Sequence, residues 1–474
     1  MTSPKSEMIL ITGSTGYVGS RLIQALANSK YSLVCTARNP DYIKNILPKN
    51  AISKRVDFTE VDTLADAFKD CHTAFYLMHS LGDKKGFEEK EALIARHFIN
   101  AAKQSGVQRI IYLGGLFDED TLKHSPHMRS RKNVGDILRS TPIPVIELRA
   151  SVILGAGSTS FELIRSLVER LPIMVTPRWV SVKAQPIYID DVISYLLQSI
   201  KLPLSSSEII EIGGADVVSY QTIMQGYAQI RGLKRLMIPV PFLTPYISSL
   251  WLGLITPVYA RVGRKLIDSI TSESIITKKK GGKKFDIHPL GYYKSISKCL
   301  KSEDSNIKLM SWSYALSTSI KTPQQMGLRY RNRLIDIHKI DCPKSLKNPF
   351  KAVEEIGGKN GWYYLNFLWR LRGFIDLLVG GIGLRRGRRH PQDLAVGDTL
   401  DWWRVERCQP GQHLRLKAEM KLPGRAWLDF ELITENNKKV IQQTVIFDPL
   451  GLSGLIYWYS LKPIHWILFR GMLN

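Results

Sequence analysis

Residues 8–30 read MILITGSTGYVGSRLIQALANSK, and their order decides the fold of the first part of the chain. An apolar run at 8–12 ends in glycines and passes into a segment that sets Val18, Leu22 and Leu26 on one helical face. Gly13, Gly16 and Gly19 stand at the spacing GxxGxxG. Glycine there allows a tight turn, close approach of a phosphate to bare backbone, and close packing of helix on strand. A second strand-like run, YSLVCTA at 31–37, follows. Strand, glycines, helix and strand in that order point to nucleotide binding. The pyrophosphate would sit on the helix N-terminus, with Ser14, Thr15, Tyr17 and Val18 in the loop around it.

Arg38 comes directly after the second strand, where an NAD-preferring protein carries an acid for the ribose hydroxyls. An arginine suits the 2′-phosphate, so NADP is the expected cofactor and NAD the less favoured one; a surface arginine at a strand end is the bland alternative. Strand-like runs recur at 73–78, 109–113 and 145–149, separated by helical stretches such as 86–105. That alternation predicts a parallel, doubly wound α/β sheet with right-handed crossovers.

The 474 residues exceed what one core supports, so at least two domains are expected. An apolar share of 44% with 23% charged residues excludes a disordered or multi-span membrane chain. The five cysteines are far apart, without CxxC pairs or histidines at zinc spacing, so neither a disulfide framework nor a metal site is expected. The apolar run after Lys5 is too short for a signal peptide, which predicts a reducing, cytoplasmic setting. Charge divides unevenly. Residues 1–200 carry 25 Lys and Arg against 20 Asp and Glu, a net +5, and residues 201–474 carry 41 against 22, a net +19. Such a field favours an anionic partner, whether lipid, nucleic acid or phosphorylated ligand.

The head resembles the short-chain dehydrogenase/reductase superfamily, in the atypical branch of NmrA-like proteins and the complex I 39 kDa subunit. The resemblance rests on TGSTGYVGSRL (12–22), CTARNP (35–40), VDFTEVDTL (56–64), FYLMHS (75–80) and RIIYLGGL (109–116). It implies that Asp57 and Phe58 lie against adenine and that Leu77 and His79 line the cofactor cleft. Dehydrogenases of the superfamily use a serine at the end of the fifth strand and a YxxxK pair on the next helix. Here Gly114 and Gly115 stand at the serine, and alignment puts His127 at the tyrosine and Arg131 at the lysine. Either His127 exchanges the proton and Arg131 holds the nicotinamide ribose, or hydride transfer is lost and the nucleotide is structural or sensory.

Segments 160–180 and 208–214 read as a helix with an extended continuation and a further strand, and 185–197 resembles the portion that caps the substrate cleft in extended members of the superfamily, so the three are expected to form a substrate lid. Residues 236–260 hold no formal charge over 25 positions, but four prolines oppose a spanning helix. Basic residues on both sides allow contact with an anionic membrane; an apolar cleft cover is the preferred reading. KKKGGKK at 278–284 is a solvated loop with no aromatic residue interleaved, so nucleic acid is not expected. No periodicity is read over 286–345, which is taken as a return to the first domain followed by a connector.

From Phe350 the pattern changes. A helix is predicted over 362–379, alternating strands over 413–420, 426–432 and 439–447, and a C-terminal helix over 451–469 with Leu452, Ile456, Tyr459, Pro463 and Trp466 at helical spacing. A turn is expected at Pro423 and Gly424. An antiparallel sheet around a long C-terminal helix resembles the helix-grip, START/polyketide-cyclase-like fold, which implies an apolar cavity. Residues 362–406 and 418–432 resemble a C-terminal domain of unknown function fused to an atypical reductase head in a bacterial family. Arg385, Arg386, Arg388 and Arg389 form a candidate anion site, and Trp402, Trp403 and Trp427 are read as core or cavity wall.

The expected architecture is therefore an NAD(P)-binding domain over 1–335 (7–150 the nucleotide-binding core, 151–335 the lid region) and a helix-grip domain over 346–474. The expected function is redox or isomerisation chemistry on a hydrophobic small molecule. The competing expectation is a non-catalytic NADP-binding sensor or assembly factor at a membrane or complex.

Overall fold

The computed structural model describes residues 7–40, 43, 47–78, 86–240, 272–305, 333–343, 348–358, 360–384, 387–388, 394–435 and 438–473. His79, Arg385, Arg386, Arg389 and residues 241–260 lie outside them. The chain divides into two units, Met1–Val168 with Ile173–Arg329 and Glu169–Pro172 with Tyr330–Asn474.

In the first unit, β1 (Met8–Ile11), β2 (Ser32–Ala37), β3 (Ala51–Arg55), β4 (Cys71–Tyr76), β5 (Arg109–Gly115), β6 (Val145–Ala150) and β7 (Glu208–Ile212) form one sheet. Its order is β7-β6-β5-β4-β1-β2-β3, with every pair parallel. Central strands of a parallel sheet are covered on both faces, so they read as continuous apolar runs: Ile9, Leu10 and Ile11 are at most 1% exposed. The order reverses between β1 and β4. That switch point opens the crevice where the carboxyl ends of these strands face a ligand.

Helices α1 (Tyr17–Ala25), α2 (Phe87–Gln104) and α3 (Pro126–Arg139) are the crossovers that matter for the site. α2 buries Ala92, Ala95, Phe98, Ala101 and Ala102, and small residues let it lie close on the sheet. Phe98 anchors an aromatic cluster with Phe68 at 5.1 Å and Tyr76 at 5.0 Å. Beyond β6, α4 (Thr159–Arg170), α5 (Ile189–Ser199) and α6 (Tyr220–Ile230) continue the first unit. Val152, Ile164, Leu167, Trp179, Tyr220 and Met224 line a small apolar cavity there, of about 30 Å³, starting two residues past the end of β6.

The second unit is a six-stranded antiparallel sheet. Its strands are β8 (Leu334–Asp341), β9 (Thr399–Leu400), β10 (Trp403–Gln409), β11 (His413–Ala418), β12 (Gly424–Glu435) and β13 (Lys438–Pro449), in the order β8-β13-β12-β11-β10-β9. β8 falls where no periodicity was read, yet it pairs along its full length with β13, from Leu334 opposite Phe447 to Asp341 opposite Val440. Its alternation is hidden because Asp336 and His338 occupy positions in register with the core face. Their polar groups meet each other, His338 Nε2 lying 3.1 Å from Asp336 Oδ2.

Two long helices complete this unit, α7 (Asn366–Leu378) and α8 (Gly451–Leu473). α7 starts four residues later than the pattern suggests. Tyr363 and Leu365 take left-handed φ of 62° and 47°, and the Trp362 N–H donates to the Asn366 side chain at 2.8 Å instead of entering the helix. Asp401, at φ 55°, turns the chain between β9 and β10 and accepts the Trp362 indole N–H at 2.8 Å. α8 packs Trp458 flat on Phe447, 5.5 Å between ring centres. The stripe singled out by spacing is the opposite face: Leu452, Ile456, Tyr459 and Trp466 are 46 to 59% exposed. α8 is apolar nearly all round, so periodicity finds a stripe without telling which side the sheet covers. No described helix is long and apolar enough to cross a membrane.

Candidate functional site

The glycine turn is built as its spacing demands. Gly13 has φ +64°, and a Cβ there would lie 2.6 Å from the Leu77 carbonyl oxygen. A Cβ on Gly16 would stand 3.0 Å from the Gly13 oxygen, and one on Gly19 would collide with the same atom. Gly16 is the N-cap of α1 and no side chain caps the helix, so its first N–H groups face the crevice without a local side-chain acceptor. The Ser14 hydroxyl turns inward, donating to the Ile11 carbonyl at 2.7 Å, while Thr15 is exposed and Val18 half-buried. Bare backbone, an uncapped helix start and an absent Cβ make a cradle that fits a pyrophosphate.

Tyr17 does something the glycine pattern did not reveal. Its ring lies under Arg21, 4.9 Å from the guanidinium carbon, and its hydroxyl reaches the space over Gly155, which no larger residue could share. Arg21 adds a bond to the Ala156 carbonyl at 3.2 Å. The start of α1 is thereby clamped to the turn that leads into α4.

Arg38 is exposed at the end of β2. Asp57, across the rim, accepts the Thr59 N–H at 2.9 Å and the Thr59 hydroxyl at 2.7 Å. Partial burial raises its carboxyl pKa, but these bonds and the charges of Arg38 and Lys90 outweigh that and hold it below the usual carboxylate range. Phe58 sends its ring into the core, 6.4 Å from Phe68 and 6.1 Å from Phe98, and its carbonyl oxygen lies 2.9 Å from His97 Nδ1. The Leu77 N–H donates to Thr12 Oγ1 at 3.2 Å, holding the β4 end against the glycine turn.

His127 and Arg131 sit one turn apart on α3. His127 is 7% exposed. The Arg131 guanidinium donates to the carbonyls of Leu113, just before the β5 glycines, and Met78, beyond β4, the latter at 3.3 Å. Met128 occupies the space next to Gly115: a Cβ there would lie 3.0 Å from its sulfur. A thioether thus fills the volume that a serine side chain would otherwise enter.

Sequence reading missed the polar groups that fix α3. Glu147 of β6, 1% exposed, pairs with Arg139 and with Arg149, whose Nε lies 2.6 Å away. Gly135 makes room, since a Cβ on it would stand 2.6 Å from the Glu147 carboxylate. On the other side, the Ser130 hydroxyl donates to buried Glu91 of α2. An acid and a base two residues apart in a buried strand, VIELR, were the available signal. In the second unit, Arg388 donates to the Ile356 carbonyl at 2.8 Å; the three remaining arginines of the candidate anion site are outside the described residues.

Residues 13–150 match the family model described as NAD(P)H-binding, and residues 330–472 match the one described as a protein of unknown function, DUF2867. The head is therefore an NAD(P)H-binding domain. Curated relatives include cinnamoyl-CoA reductase 1 of Oryza sativa subsp. japonica, 26% identical over 115 residues, 23% of this chain and 34% of the relative. Cinnamoyl-CoA reductase 1 of Petunia hybrida is 25% identical over 124 residues, 24% of this chain and 37% of the relative. The chain thus spans about a third of the length of these curated relatives. Among solved structures, Citrobacter sp. triphenylmethane reductase matches with TM-score 0.51 and 18% identity, over 62% of this chain and 99% of that one. The Escherichia coli quinone oxidoreductase QOR2, complexed with NADPH, matches with TM-score 0.50 and 18% identity, over 62% and 100%. These likenesses show a Rossmann-type fold for the head.

Proposed function

We propose that the head is an NADP(H)-dependent reductase for a hydrophobic small molecule. The observation that carries this is α3: a buried imidazole, His127, one turn from a cation, Arg131, whose hydrogen bonds reach the strand ends where the nucleotide crevice opens. Gly13, Gly16 and Gly19 would hold the pyrophosphate, Asp57 and the Phe58 backbone the adenine, and Arg38 the 2′-phosphate. When bound, the nicotinamide supplies the hydride. His127 gives a proton to the substrate oxygen, and Arg131 keeps the strand ends fixed and the field positive beside it. The apolar side chains past β6, Val152, Leu167 and Met224 among them, support an apolar substrate. We read the second unit as a helix-grip domain that holds or delivers that molecule, supported by its antiparallel sheet with Trp458 of α8 stacked on it.

One observation favours a second reading, an NADP(H)-binding sensor without turnover. Met128 beside Gly115 removes the hydroxyl site on which the superfamily's proton chemistry depends. A panel of quinones, enones and aldehydes distinguishes the two. For the reductase, NADPH oxidation falls by roughly two to four orders of magnitude in His127→Ala with NADPH affinity held. NADPH that binds tightly and is oxidised by none of the panel supports the sensor.

A further inference from the structure

The two long helices of the second unit turn apolar side chains to solvent along their outer faces. On α7, Phe367, Leu371, Phe374 and Leu378 are 62, 50, 58 and 70% exposed. On α8, Leu452, Ile456, Tyr459 and Trp466 are 46, 59, 59 and 51% exposed, and Pro463 between the last two is exposed as well. Both sets recur every three or four residues, so each forms a continuous stripe. Single exposed apolar residues are ordinary, but contiguous stripes mark a docking face. The inner sides are already used: α7 buries Trp369, Gly373 and Asp376, and α8 buries Trp458, Leu468 and Phe469. Gly471 lies flush against the Tyr364 ring, and Trp369 meets Phe469 at 6.2 Å, so the start of α7 adjoins the end of α8.

Charge says what covers this face. α8 contains no Asp or Glu but has Lys462 and Arg470. α7 has Arg370 and Arg372, and its one acid, Asp376, is fully buried, accepting from the Gly383 and Lys421 N–H groups. Arg372 donates to the Lys421 carbonyl at 3.2 Å, adding a third cation at that end. Every exposed charge on the two helices is positive. A second copy docked on this face would set like charges against like, and a bilayer of anionic lipid would meet them with the opposite sign.

We propose that α7 and α8 lie in the interface of an anionic lipid bilayer, apolar stripes in the acyl boundary and cations among the headgroups. At 23 residues α8 would run about 35 Å in the membrane plane. Tyr459 and Trp466 suit that depth, being apolar with a polar edge, and the Arg470 guanidinium already sits 5.2 Å over the Trp466 ring. From sequence, residues 236–260 allow lipid contact as the alternative to the preferred apolar cleft cover. These helices carry it on separate observations and independently of any turnover by the head.

The test uses the full chain and vesicles of phosphatidylcholine alone or mixed equally with phosphatidylglycerol. The protein sediments with the mixed vesicles, not the neutral ones, and raised salt releases it. Leu371→Glu with Phe374→Glu, and Ile456→Glu with Trp466→Glu, each lower the bound fraction on the order of tenfold. Melting and NADPH titration stay unchanged, because the replaced side chains are already exposed. Brominated phosphatidylglycerol quenches tryptophan emission in the unmodified protein and does so less in Trp466→Phe, which decides the matter even if a glutamate pair misfolds. Failure to bind mixed vesicles, undiminished binding by both pairs, or a lipid-free dimer that the glutamates dissociate overturns the proposal.

Discussion

The guanidinium of Arg131 lies 5.1 Å from the centre of the Tyr112 ring, and the Tyr112 hydroxyl donates back to the Arg131 carbonyl at 3.0 Å. Each residue thus fixes the other. Burial raises the Tyr112 pKa despite the nearby Arg131 charge, so the phenol stays a neutral donor. Arg131→Gln loses the cation–π contact and weakens the bonds to Leu113 and Met78. We expect NADPH to bind more weakly and the protein to lose about 1–3 kcal/mol in urea denaturation, with Tyr112→Phe losing about 1 kcal/mol.

Gly13 at φ +64° has the Leu77 carbonyl oxygen where a Cβ would go. Gly13→Ala should destabilise the head by about 1–3 kcal/mol and weaken NADPH and NADH alike. Gly16→Val, where the neighbouring oxygen is 3.0 Å away, should affect nucleotide binding more than melting, as read by calorimetric titration beside a thermal scan.

The proposed preference for NADPH rests on Arg38, exposed at the end of β2. NADPH should bind more tightly than NADH, and Arg38→Asp should reduce the ratio by roughly tenfold or more, because a carboxylate repels the 2′-phosphate and accepts ribose hydroxyls. Equal affinities in the unmodified protein would take Arg38 out of the account.

Glu147 is held between Arg139 and Arg149 in the head's interior. Glu147→Gln leaves two partly buried cations without their shared acid and should cost about 3–5 kcal/mol. A melting scan checks this; a loss under 1 kcal/mol would show that the arginines find other partners.

In the second unit, burial lowers the His465 pKa from 6.5 to about 4, opposed by Asp336 and reinforced by Arg372. Between those values the unfolded chain binds the extra proton. Stability is therefore full above about pH 6.5 and falls by about 3 kcal/mol as pH drops towards 4. His465→Phe should flatten that part of the profile, measured by denaturant unfolding at stepped pH.

Where a local pattern had one cause, it could be read directly. The apolar run, GxxGxxG and helix of 8–26 are such a case, since parallel packing and close backbone approach leave few other residues possible. The alternating strands of the second unit are another. Reading failed where tertiary contacts chose among options. Asp336 and His338 disguise β8 because their partner is two residues away on the same strand. The delayed start of α7 depends on left-handed Tyr363 and Leu365, residues with no propensity for it. The outward stripe of α8 was visible, but not its direction. Alignment placed His127 and Arg131, whereas Glu147, Glu91 and Met128 around them became evident only once β6, α2 and α3 met.

The Tyr17 hydroxyl over Gly155 ties the evolutionary fates of two positions 138 apart in sequence. Neither can drift alone: any side chain at 155 evicts the phenol, and loss of the phenol leaves a hole between α1 and Ile189. Across a set of relatives built this way, bulk at one position should be traded against bulk at the other. A paired Tyr17→Phe and Gly155→Ala change should then be tolerated better than Gly155→Ala by itself.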